Sequence, residues 1–241
     1  RFIILLFGLS VALAASPEEY AGKFEGDIKL TSEQKNAIDN GLDLEPANSF
    51  GASKSKRWNN GVFPYVIASS LSGSSRAKQA IDSAMREWSQ KTCIRFVQRS
   101  NQAGYAEFFK GGGCWSYVGM TGRKQQISLA GGCWHHGIVV HEIGHALGFW
   151  HEQSRPDRDE YVTIMWDNIP SGNRHNFNKY TRTQIDSLNV PYDYGSIMHY
   201  ARRAFSNNGK DTIVPKKSGV RMFVSQTNHG TCMCKACVMR V

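Results

Sequence analysis

One stretch constrains this chain more than any other: residues 141–151, HEIGHALGFWH. Its leading histidines, His141 and His145, stand one helical turn apart, so a helix here projects both imidazoles from one face, where they can reach a single metal ion about 2 Å away. Glu142 lies beside them, placed to face a water next to the ion rather than the ion itself. A helix continued past His145 would carry residue 151 away from the ion. Gly148 resolves this, because without a Cβ it can adopt the left-handed conformation that ends the helix and turns the chain back, bringing in His151 as a third ligand. Three neutral histidines leave a dication with its full charge and open coordination positions, the condition of a catalytic site rather than a closed structural one.

The rest of the chain is organised around that stretch. Arg1 precedes the apolar run FIILLFGLSVALA, which closes on the small-x-small pattern Ala12-Leu13-Ala14, and residues 1–14 read as a secretory signal peptide lacking its initiator methionine. The polar SPEEY that follows comes too early for a membrane-spanning helix, so no stable membrane anchor is expected and the protein should be extracellular. Residues 15–57 are polar, with one short helical pattern in SEQKNAIDNGL, and read as a pro-segment and linker. Its closing run, Lys54-Ser55-Lys56-Arg57, suits either a processing protease or an ordinary solvated charge run. Within it, the acidic turn Phe24-Glu25-Gly26-Asp27-Ile28 reads, taken alone, as a solvated surface turn.

From Trp58 onward the texture is that of a packed domain, assigned to 58–241. VFPYVI at 62–67 predicts a strand, and between Ser75 and Lys91 the residues Ala77, Ala80, Ile81, Ala84, Met85 and Trp88 recur three and four apart, one buried face of a helix. CIRFVQR, YAEFFKG and QQISLA predict three more strands between glycine-rich turns. The fold class is α+β, a twisted sheet backed by helices in the first half and a loop-rich second half after His151. A net charge of +9 comes with no lysine-rich block or base-stacking motif, which argues against a nucleic-acid partner. Six cysteines, at 93, 114, 133, 232, 234 and 237, are expected to pair in an oxidising compartment, with fifteen formal pairings.

HEIGHALGFWHEQSRPDRDEY together with Ser196-Ile197-Met198-His199-Tyr200 resembles the astacin family of secreted zinc endopeptidases, within the metzincin group. The resemblance runs over residues 58–220 and takes in TCIRF, GGGCWSYVG and GGCWHHG. It implies a two-subdomain metzincin-like catalytic domain with a cleft between the halves, one Zn2+ on His141, His145 and His151, and hydrolysis of peptide bonds in protein or peptide substrates bound extended along an edge strand. Glu142 would be the general base, Met198 would lie in a tight turn beneath the metal, and Tyr200 would be a further zinc ligand that swings aside to stabilise the oxyanion. On the residues alone, SIMHY predicts a short buried strand.

FEGDI resembles the FxGD motif of astacin pro-segments, which implies that Asp27 is a zinc ligand in the zymogen, with Gly26 letting the backbone pass close and Glu25 solvated and dispensable. Removal of the plug then requires an activating processing protease. Glu152 would receive the new amino terminus or simply pair with a nearby cation. A start at Trp58 would leave too short a tail for the first role, and a cut nearer residue 49 would lengthen it. The family pattern pairs Cys114 with Cys133, and Cys93 with a cysteine at the carboxyl end, here one of Cys232, Cys234 and Cys237. Arg221 is the candidate for selecting an acidic residue after the cut, or else a solvated surface arginine. The tail, 222–241, departs from the family pattern. Its crowded cysteines make a weak case for a second zinc site, and it leaves open a catalytically impaired, astacin-like binding protein. A monomer is expected.

Overall fold

A computed structural model of the chain describes residues 22–42, 57–182, 187, 190–220 and 222. The predicted signal peptide at 1–14, Lys54 to Lys56, Arg221 and the cysteines at 232, 234 and 237 therefore lie outside the described residues. The strands are β1 (Ile28–Lys29), β2 (Val62–Ile67), β3 (Arg95–Gln98), β4 (Tyr105–Phe109), β5 (Cys114–Tyr117), β6 (Lys124–Leu129), β7 (Val162–Ile164) and β8 (Ile213–Pro215). The helices are α1 (Ser32–Asp39), α2 (Ser69–Ser72), α3 (Ser75–Lys91) and α4 (His136–Leu147).

Six strands form one sheet in the order β1-β5-β6-β4-β2-β3, every pairing parallel except β5 with β6. β2 and α3 occupy the spans that the sequence predicts. The apolar stripe of α3 is buried as the three-and-four spacing requires, with Ile81, Ala84 and Trp88 in the main core. That core also takes in Phe63, Phe108, Ile127 and Leu129 from the sheet and Val139, Val140 and Ile143 from α4. Two tryptophans tie α4 down by its backbone: the Trp88 indole donates to the Val140 carbonyl at 3.1 Å and the Trp58 indole to that of Ala146 at 2.8 Å. Trp58, the first residue after the basic run, is thus buried under the helix.

Beyond His151 the backbone runs through short 3-10 turns and one two-stranded sheet, β7 with β8, around a second core of Ile164, Phe177, Tyr192, Phe205 and Ile213. Met222 is buried there, so the second core reaches into the first residue of the tail. The fold is the expected α+β arrangement with a loop-rich second half.

CWSY and SIMHY, the segments that border the site, depart from the sequence reading. β5, the segment CWSY, is not among the predicted strands; three of its four residues are buried, so no alternation marks it. SIMHY is a turn rather than a strand, because its amides bond locally or to side chains: Met198 N–H to Ser196 Oγ (3.2 Å), His199 N–H to the Ser196 carbonyl (3.0 Å), Tyr200 N–H to Gln153 Oε1 (3.0 Å). Cys114 and Cys133 are bridged across a 19-residue separation. Closing a loop of that size stabilises by about 3 kcal/mol. Cys93 is exposed at the end of α3, and its candidate partners lie outside the described residues.

Candidate metal centre

α4 runs from His136 to Leu147 and stops at Gly148, whose φ of 111° and ψ of 8° place it in the left-handed region. The Gly148 N–H bonds the His145 carbonyl at 2.8 Å and the Phe149 N–H bonds that of Gly144 at 3.1 Å, which closes the helix end. The reversal brings His151 back to the face of His141 and His145, their ring centroids 4.6 to 5.3 Å apart. All three histidines and Glu142 are buried.

Each imidazole is held by its Nδ1. His141 Nδ1 donates to the Ile197 carbonyl at 2.8 Å, His145 Nδ1 to that of Phe149 at 2.8 Å, and His151 Nδ1 to Glu25 Oε2 at 2.7 Å. With Nδ1 committed as a donor, Nε2 is the nitrogen left to face a metal ion, the orientation a ligating histidine needs. The three Nε2 atoms converge on the carboxylate of Asp27, His141 at 2.9 Å from Oδ2, His145 at 3.4 Å and His151 at 3.3 Å from Oδ1. Asp27 Oδ1, His145 Nε2 and His151 Nε2 are buried without a hydrogen-bond partner. Orphaned polar atoms facing one another are costly in a protein interior unless a cation joins them. The ligand atoms of these four residues lie within 4.8 Å of one another, and they fit one zinc ion.

The same carboxylates set the protonation of the site, and a dication bound there would displace the proton that His151 otherwise holds. Burial drives His145 down to about 4, keeping it neutral. Burial works against the charge on His151 too, but the Asp27 and Glu25 carboxylates outweigh it and hold this imidazole up to about 10. Burial alone would raise Asp27; the charges of His151 and His145 and the hydrogen bond with His141 instead hold it well below the usual carboxylate range. Two buried carboxylates beside three imidazoles make a site whose natural complement is a dication.

The residues around the centre are set by the turn beneath α4. Met198 is buried against the helix, and a Cβ at Gly144 would lie 2.7 Å from its Sδ. Gly144, inside the histidine motif, is a residue the sequence reading missed. The Met198 carbonyl accepts from the Glu152 N–H at 2.9 Å. The Glu152 carboxylate takes the Asp193 N–H at 2.8 Å and Arg155 Nη1 at 3.2 Å. Tyr200 sets its ring 4.7 Å from that of His151, tilted by 56°, and donates its hydroxyl to the Glu25 carbonyl at 2.6 Å.

Residues 22–42 fill the cleft. Glu25 and Gly26 both have positive φ, 47° and 87°, and the Phe24 and Ile28 backbones pair across the turn at 3.1 and 2.9 Å. The turn pushes Asp27 toward the histidines. β1 then lies on the outer edge of β5, with Lys29 over the rings of Trp115 and Tyr117. α1 starts from a Thr31–Gln34 capping box, and the Gln34 amide donates to the Val118 carbonyl at 3.2 Å. Ala37, Ile38 and Phe24 pack on Trp150 and Tyr180.

One expectation fails here. Glu25 is neither solvated nor a bystander: it is 1% exposed and bonds His151 Nδ1, while its other oxygen accepts from Ser154 Oγ at 2.9 Å. The sequence carried a faint signal, an acid placed where the backbone turn favours glycine or asparagine.

Comparison with known proteins gives a consistent result. The family model Astacin (Peptidase family M12A) matches residues 50–233. Blastula protease 10 of Paracentrotus lividus is 48% identical over 205 residues, covering 80% of this chain and 34% of its own length. Meprin A subunit beta of Mus musculus is 46% identical over 204 residues, covering 84% of this chain and 27% of its own length. Among solved structures, High choriolytic enzyme 1, a hatching enzyme zinc-protease from Oryzias latipes, superposes with a TM-score of 0.66 at 44% identity, covering 74% of this chain and 90% of that one. The chain spans about a third or less of the length of the two former relatives.

Proposed function

The chain belongs to the astacin family, peptidase family M12A, and on that premise we propose that it is a zinc endopeptidase made as a latent precursor. The observation that carries the reading is the convergence of three Nε2 atoms on one point, capped by Asp27 and flanked by Glu142. Zinc bound there supplies Lewis acidity to the scissile carbonyl and lowers the pKa of water. Glu142, buried next to His141 on the same helix, accepts the proton from that water and returns it to the leaving amine. Tyr200, once the Glu25 carbonyl withdraws, has a hydroxyl to donate to the developing oxyanion.

Substrate runs along β5, whose edge amides and carbonyls bond the pro-segment in the precursor; the Ser116 N–H to the Asp27 carbonyl, 3.0 Å, is one of these bonds. Arg221, which lies outside the described residues, would select an acidic residue after the cut. A processing protease acting between about residue 49 and Arg57 releases the plug. Export follows from the leader in residues 1–14; no helix among the described residues is long and apolar enough to cross a membrane.

The test is Glu142→Gln in processed, zinc-loaded protein. Hydrolysis of a casein-like substrate should fall by about 10²–10⁴-fold while bound zinc stays at one per chain. In the parent protein, a chelator should remove activity and zinc restore it. Parent protein that is correctly processed, zinc-loaded and inert would sink the enzyme reading.

A further inference from the structure

Glu25 makes more contacts with the catalytic machinery than a plug requires. Its carboxylate takes the His151 Nδ1–H at 2.7 Å and the Ser154 hydroxyl at 2.9 Å, and its backbone carbonyl takes the Tyr200 hydroxyl at 2.6 Å. It sits in the left-handed region, φ 47°, a conformation that strains any side chain and needs none of the chemistry of glutamate. Both carboxylate oxygens are nevertheless engaged in an interior where an unpaired carboxylate would be costly.

The three metal-facing histidines are also not held alike. His141 and His145 rest on backbone carbonyls of the catalytic domain, those of Ile197 and Phe149. His151 alone rests on a carboxylate, and that carboxylate belongs to the removable segment. A carboxylate behind a ligating histidine fixes the ring and raises the basicity of its ligating nitrogen.

The geometry points to Glu25 as a positioning residue that acts on the metal through His151, so that the pro-segment grips the ion twice: directly with Asp27 in front and indirectly with Glu25 behind the third ligand. This rests on the reading of His141, His145, His151 and Asp27 as a zinc site. The precursor then retains zinc more firmly than the processed enzyme for two separable reasons. Loss of the pro-segment takes away the cap, the acceptor of His151 and the partner of Tyr200 together, which frees the ring and the hydroxyl for turnover.

The experiment measures zinc release from the full precursor to a chromogenic chelator, in the parent, Glu25→Ala, Glu25→Gln, Asp27→Ala and the Asp27→Ala/Glu25→Ala double variant. Glu25→Ala should release zinc about 10–100-fold faster. Glu25→Gln, whose amide oxygen can still accept from Nδ1–H, should keep most of the retention. The low-field Nδ1–H proton resonance of His151 should be present in the parent, shifted in Glu25→Gln and lost in Glu25→Ala. Because Glu25 acts through His151 and not by seating Asp27, its replacement should speed release in the Asp27→Ala background as well. Release from folded Glu25→Ala at the parent rate, or no effect of Glu25→Ala once Asp27 is gone, overturns the proposal. A parent precursor that binds no zinc overturns the underlying site instead, and the two failures are told apart by the zinc content of the parent alone.

Discussion

Gly148 is the residue on which the geometry of the centre turns. Its φ of 111° is closed to an L side chain without strain, and the turn it makes is what sets His151 opposite His141 and His145. Gly148→Ala should cost about 1–2 kcal/mol from the left-handed penalty alone. If the chain relieves that strain by continuing the helix, His151 moves away and the bound zinc per chain falls. Thermal melts of the metal-free protein and metal analysis of the loaded one check the two effects; an unchanged melting temperature with full zinc would remove Gly148 from the account. The adjacent acids show the limit of reading single residues. Asp27 and Glu25 differ by one carbon and stand two apart, yet one faces the three Nε2 atoms and the other the back of His151. Composition cannot separate those roles, because they are assigned by which side of the turn at Gly26 each residue leaves.

At the scale of elements, the close approach of α4 to the turn carrying Met198 depends on a residue without a side chain. Glycine inside a helix forgoes about 1 kcal/mol relative to alanine, so Gly144→Ala would stabilise an isolated helix. In the folded protein the added Cβ would lie 2.7 Å from Met198 Sδ and 3.5 Å from the Trp88 ring. Overpacking of that kind costs about 1–3 kcal/mol. The variant should therefore lose up to about 2 kcal/mol net in denaturant unfolding, and a gain in stability would show that Met198 moves freely. The periodic elements, β2 and α3, are legible in the sequence because burial on one face writes its period into the side chains. β5 and the SIMHY turn are not. CWSY becomes a strand because β6 bonds it on one side and β1 on the other, and SIMHY bends because Ser196 and Gln153 capture its amides.

Over the whole molecule, two cores hold the halves and residues 22–42, the proposed pro-segment, occupy the cleft through three kinds of contact: strand pairing on β5, the packing of α1 on Trp150 and Tyr180, and the acids at the centre. Latency should then be divisible. With Asp27→Ala, α1 and β1 keep their contacts while the cap is gone, and the unprocessed chain should hydrolyse a fluorogenic peptide at least about tenfold faster than the parent precursor, the equivalent of one charge-assisted hydrogen bond of 1.5–3 kcal/mol. A well-folded variant as latent as the parent would show that strand and helix suffice to block the cleft. The sequence by itself determined the convergence of His141, His145 and His151, the helix stop at Gly148 and the α+β class, because these follow from spacing and from the conformational freedom of single residues. Only the tertiary structure decided that Glu25 is buried behind His151, that Gly144 makes room for Met198 and that β5 is an edge shared with β1. These are contacts between residues far apart in the chain, and no local pattern of side chains encodes which distant group a buried oxygen or an open strand edge will meet.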